Sequence, residues 1–107
     1  MTYSEKLKDP RWQRKRLEIM EREQWTCRHC RLTHKTMTVH HVVYHHRRDP
    51  WDYENDELLA LCEGCHLEIE RQIKCMRFFM AHNPELMAKV WELVDALEVA
   101  KKKTEAR

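Results

Sequence analysis

Residues 58–70, "LLALCEGCHLEIE", carry a C-x-x-C pair, Cys62 and Cys65, followed at once by His66 and then Glu70. A helix is expected to begin near Cys65 or His66 and run to about Met80, because Ile69, Ile73, Met76 and Met80 recur at spacings of four, three and four. His66 and Glu70 then sit one turn apart on nearly the same face. Polar groups on the inner side of a helix's first turns need partners, and a metal is one such partner.

A second C-x-x-C pair, Cys27 and Cys30, lies upstream in "QWTCRHCRLTHKT". Two such turns brought together by the fold supply the four thiolates of a tetrahedral structural zinc site. His29 and His34 could also ligate, but four cysteines leave them no vacancy. Cys75 is left over. Small knuckles often place glycine after the second cysteine, where the backbone turns through positive φ. Here Arg31 follows Cys30, which predicts a strained or differently shaped turn.

Between the pairs, Met37 to Tyr44 is rich in Val and Thr and is expected to form a strand of a β-hairpin. Pro50 cannot serve a central strand, so "HHRRDPWDY" includes a loop, and the return strand has no sharp boundary in the sequence. The stretch holds two histidine pairs, His40-His41 and His45-His46. Adjacent His40 and His41 fall on opposite faces of a regular strand. His45 and His46, beside Arg47 and Arg48, are expected on the surface.

Upstream, Asp9 can cap and Pro10 can open a helix to about Glu23. Downstream, Asn83 and Pro84 do the same for a last helix to about Lys102. Its stripe of Leu86, Val90, Leu93 and Leu97, flanked by Met87, Trp91 and Val94, either packs on its own core or pairs with a second copy or another protein. Trp12, Trp25 and Trp91 read as core, and Trp51 and Tyr53 as lids over it. The division expected is a domain over residues 1–82 and a C-terminal amphipathic helix with a basic tail over 83–107.

The chain has 107 residues and a net charge of +2, a balance only weakly suggestive of nucleic acid. The charge is unevenly placed, however. Lys6, Lys8, Arg11, Arg14, Lys15 and Arg16 crowd the N-terminus, either as a solvated helix face or as a phosphate-holding arm. No apolar run approaches the roughly 20 residues of a membrane helix. The opening residues lack an apolar signal segment, so a reducing cytoplasm is expected, and thiolate ligands rather than disulfides.

Taken together, "C27-x-x-C30 … V39-H40-H41-V42 … L58-L59-A60-L61-C62-x-x-C65-H66" resembles the HNH endonucleases in their zinc-knuckle form, over about residues 10 to 72. The run "Y44-H45-H46-R47-R48-D49-P50-W51-D52-Y53" is similar to a subgroup of small bacterial and phage members. The resemblance implies an α+β chain: a small ββα-metal, treble-clef-like core stapled by zinc on Cys27, Cys30, Cys62 and Cys65. An N-terminal helix and an added C-terminal helix flank that core.

It further implies that His40 and His66, with Glu70 as a further ligand, hold a catalytic divalent metal (Mg2+, Mn2+, Ni2+ or Zn2+). His41 is then the general base in hydrolysis of double-stranded DNA, nicking it or, as a dimer, cutting both strands. Arg11, Arg14, Lys15, Arg47 and Arg48 are the candidate nucleic-acid contacts. The implied setting is the cytoplasm of a bacterial or phage-infected cell. One position departs from the pattern. An asparagine is expected nine residues before the last histidine, and 66 − 9 = 57 is Glu57. Either the Glu57 carboxylate or Asn55 is expected to support the loop. The alternative is a noncatalytic phage or mobile-element protein of the same fold that binds nucleic acid or a host protein.

Overall fold

The first long helix starts as Asp9 and Pro10 dictate. In the computed structural model, which describes residues 1–105, the Asp9 carboxylate accepts from the Arg11 side chain at 3.0 Å and from its backbone N–H at 2.8 Å. These bonds hold the Asp9 carboxyl at about 2. Helix α2 then spans Pro10–Arg22. It ends in a Schellman turn: Trp25 N–H donates to Met20 O at 2.9 Å, and Gln24 N–H donates to Glu21 O at 3.1 Å. Gln24 and Trp25 both adopt positive φ, 55° and 56°. Two left-handed residues in succession turn the chain sharply into the first cysteine pair.

A short helix α1, Tyr3–Lys6, precedes α2. It is held by a capping box in which Thr2 and Glu5 bond each other's backbone N–H groups at 3.2 Å. Strand β1, Met37–His41, pairs antiparallel with β2, Leu58–Cys62, in the register Met37↔Cys62, Val39↔Ala60 and His41↔Leu58. A single 3-10 turn, Asn55–Glu57, leads into β2. Helix α3 follows β2 directly as Glu63–His82, and α4 runs Pro84–Glu105. The architecture is α+β, and among the described residues no helix is long and apolar enough to cross a membrane.

The chain divides into two compact units, Met1–Ile69 and Glu70–Arg107. The first holds the core. Trp12, Ile19 and Met20 of α2 pack with Val39, Leu58, Ala60 and Tyr53. A second cluster joins Cys27, Leu61 and Cys62 to partly buried Cys30, Leu59, Cys65 and Ile69. In the second unit an apolar groove of about 310 Å³ runs between α3 and α4, lined in part by Met76, Phe79, Leu86 and Val90.

Several expectations are corrected. The strand ends at His41, because the chain leaves the sheet after Val42 N–H donates to Glu57 O at 2.8 Å. Val42, Val43 and Tyr44 are exposed. Helix α3 begins at Glu63, so both Cys65 and His66 lie within its first turns. The second half of α3 shares an apolar groove with α4 within the unit Glu70–Arg107. Trp12 and Tyr53 are buried and Trp51 is half-buried, but Trp25 is 49% exposed and Trp91 64%. Trp25 is carried outward by the left-handed turn, and Trp91 sits on a helix with no buried residue.

Arg31 has φ 65°, the left-handed turn that the missing glycine foretold. That backbone costs an L-residue about 1–2 kcal/mol, and glycine returns about 0.5–1 kcal/mol of this as chain entropy. Arg31 is exposed and packs little. Arg31→Gly is therefore expected to stabilise the chain by about 0.5–1 kcal/mol in urea unfolding, while Arg31→Val should destabilise it.

Candidate metal centres and the cleft beside them

The Sγ atoms of Cys27, Cys30, Cys62 and Cys65 lie within 4.8 Å of one another, with Cys30 and Cys62 at 3.9 Å. A tetrahedron of sulfurs about 2.3 Å from zinc has edges of about 3.8 Å, so the cluster fits a structural zinc. Each knuckle closes on itself. Cys30 N–H donates to Cys27 Sγ and Cys65 N–H to Cys62 Sγ, both at 3.4 Å. Arg28 N–H donates to Ala60 O at 2.9 Å and docks the first knuckle on β2.

The thiols do not ionise alike. Burial pushes Cys27 up, but backbone N–H groups from Cys30, Cys62 and His29 outweigh it and bring the thiol down to about 6. Cys65 is pushed up to about 12 by its hydrogen bond to Cys62, by burial and by the neighbouring sulfurs. Four thiolates this close need a cation among them, and binding one releases protons.

The second centre grows from the alternation of the strand. His40 faces α3, where its ring meets that of His66 edge-on at 4.9 Å between centroids. One ligand atom each from His40, His66 and Glu70 lies within 4.8 Å of the others. Glu70 keeps its place beside His66 because α3 is continuous and they are one turn apart. Two imidazoles and a carboxylate make a set that can hold a first-row divalent ion and leave positions open.

His41 points the opposite way, onto α2. It lies buried among three aromatic rings: Trp12 stacks on it at 5.1 Å, Tyr44 at 5.3 Å, and Tyr53 meets it edge-on at 4.7 Å. Its Nε2 lies 3.2 Å from Pro50 O. A carbonyl only accepts, so Nε2 carries the proton and Nδ1 keeps the lone pair. Burial lowers the pKa of His41, against the opposing pull of the Pro50 carbonyl. The ring is therefore neutral near pH 7.

A cleft of about 460 Å³ reunites the two sides of the sheet. It is lined by Tyr3, Leu7, Trp12, Arg16, Thr38, Val39, His41, Tyr44 and His66. Residues of both faces can line it because β1 pairs with β2 on one side only. Thus His41 borders the same space as His66, one member of the second metal set.

The supporting residues are sorted by their contacts. The Glu57 carboxylate bonds His45 Nε2, accepts from Glu54 N–H at 3.0 Å and pairs with Arg48 at 3.5 Å. The His45 bond leads the causes that lower the Glu57 pKa. Glu57 thus ties down the loop between the strands. Asn55 faces α2 instead, with Oδ1 accepting from Lys15 at 2.6 Å and its backbone carbonyl accepting from Arg22.

Of the basic residues, Arg11, Arg14 and Lys15 share a shallow groove with Glu18 and Trp51. Arg11 also pairs with Asp9 at 3.0 Å and lies 4.2 Å over Trp51. Arg48 lies 5.7 Å over Tyr53, and exposed Arg47 takes φ 61°. Of the cleft-lining Tyr3, Leu7 and Arg16, only Arg16 stood among the candidate phosphate-holding residues. The T-x-x-E box at Thr2 and Glu5 was the signal for the segment carrying two of them. Comparison with protein-family models, curated proteins and solved structures found no match to this chain.

Metal analysis of purified protein is expected to find about one tightly held zinc per chain at the four sulfurs. Cys62→Ser should lose it together with cooperative unfolding. A folded, zinc-free Cys62→Ser protein would show that the knuckles stand without metal.

Proposed function

We propose that this chain is a metal-dependent HNH-type endonuclease that hydrolyses phosphodiester bonds in double-stranded DNA. One observation carries the reading: a neutral, buried His41, oriented by Pro50 O, borders the same cleft as His66 of the His40, His66 and Glu70 set. The resemblance of the cysteine and histidine pattern to that family supports it independently.

In this reading the chain's own groups divide the work. Trp12, Tyr44 and Tyr53 fix the His41 ring, and the Pro50 carbonyl selects the tautomer with Nδ1 unprotonated. Nδ1 then takes the proton of an attacking water. His40, His66 and Glu70 would hold a divalent ion, and such an ion would supply charge neutralisation for a scissile phosphate and its leaving oxygen. Two imidazoles favour Mn2+, Ni2+ or Zn2+ over Mg2+. Arg16 supplies a cation at the cleft wall for the phosphate backbone, and Arg11, Arg14 and Lys15 offer further contacts on α2. Glu57 takes the place of the family's asparagine as the loop staple.

Supercoiled plasmid incubated with the protein and Mn2+, Ni2+, Zn2+ or Mg2+ should be nicked, with EDTA abolishing the reaction. His41→Ala should slow nicking by about a hundredfold or more while keeping its zinc. Plasmid left intact under every metal, or a variant that cuts as well as the wild type, would sink the proposal. Glu57→Gln is expected to retain zinc and cut more slowly, because a neutral amide pairs less strongly with His45 and Arg48.

A further inference from the structure

The cleft beside His41 is mostly apolar, unlike a site that holds a phosphate alone. Leu7, Trp12 and Val39 wall it together with the rings of Tyr3 and Tyr44. Among the described residues that line it, Arg16 is the one permanent cation. Its guanidinium donates to Gln13 Oε1 at 3.0 Å through one nitrogen and keeps further N–H donors for an anion. The volume of about 460 Å³ falls in the range of roughly 300–1,000 Å³ that small-molecule sites occupy. A double helix is too broad to enter such a space, whereas one unstacked nucleotide fits it.

The two tyrosines supply what a nucleobase needs. Tyr3 and Tyr44 are 53% and 65% exposed and share a hydrogen bond. Tyr44 stacks on His41 at 5.3 Å between centroids and still keeps most of its surface open. A base laid against such rings gains stacking that does not depend on which base it is, because every base has a π-face.

We infer that the cleft takes one nucleotide turned out of the DNA stack, with its base against Tyr3 and Tyr44 and its flanking phosphate toward Arg16 and His66. The inference rests on the proposed reading of DNA as substrate and adds which part of the DNA enters. Turning out a paired nucleotide costs the pairing and stacking that it leaves, and an extrahelical base has lost both already. Labelled duplexes titrated with the full-length, zinc-loaded chain, without other added metal and followed by fluorescence anisotropy, test this. A duplex with one bulged adenine nucleotide should bind about tenfold more tightly than its fully paired counterpart. The same bulge made abasic, which keeps sugar and phosphate but has no base, should lose that advantage. In Tyr3→Leu with Tyr44→Leu the ratio of bulged to paired affinity should fall to about twofold or less, while Tyr3→Phe should keep it, because the ring and not the hydroxyl makes the stack. Equal binding of bulged and paired duplexes, or an abasic bulge bound as tightly as the base-bearing one, would overturn the inference even where plasmid is nicked. A preference for the bulged base in a chain that nicks nothing would support the inference and remove the nuclease reading alone.

Discussion

Four cysteine sulfurs within 4.8 Å of one another are a demanding arrangement for a small chain, because ligand chemistry needs them ionised and their mutual repulsion forbids it. Cys27 ionises readily while Cys65 resists, which is what such a cluster does until a cation shares the charge. The constraint reaches past the knuckles. Cys62 ends β2 and Cys65 lies in the first turn of α3, so whatever fixes the sulfurs also fixes the angle at which that helix leaves the sheet. His66, the next residue, is placed against His40 by the same geometry.

The sheet contributes a different kind of control. A strand sends successive side chains to opposite faces, and His40 and His41 obey this: one meets α3, the other α2. Separation gives each histidine its own environment. His40 joins a polar cluster suited to a metal, whereas His41 enters an aromatic box where burial keeps it neutral. Two strands have open edges, and here the open edge of β1 lets a single cleft reach residues of both faces. A third strand on that side would have closed it.

The unit from Glu70 onward follows other rules. It has a groove but no buried residue in either α3 or α4, so its helices hold their apolar side chains largely in water. A helix pair of this composition gains much by covering that surface and little by leaving it bare.

Much was legible without coordinates. The Asp-Pro helix start, the two cysteine pairs, the positive φ after Cys30 and the parity of His40 and His41 depend on local chemistry or short spacing, and neighbouring residues decide those. The groups that became neighbours only on folding were not legible. Tyr3, Leu7 and Arg16 line one cleft with His41 and His66, and no local pattern encodes that approach. Glu57 stood out as a missing asparagine, yet its partners His45 and Arg48 depend on how the long loop folds back. Trp25 and Trp91 were misread for the same reason: an aromatic residue is buried only where the fold supplies something to bury it against. The sequence by itself determined which side chains could ligate and which backbone turns were forced, because those are properties of residues and short spacings. The tertiary structure decided which of them share a space, because distance between elements is set by packing.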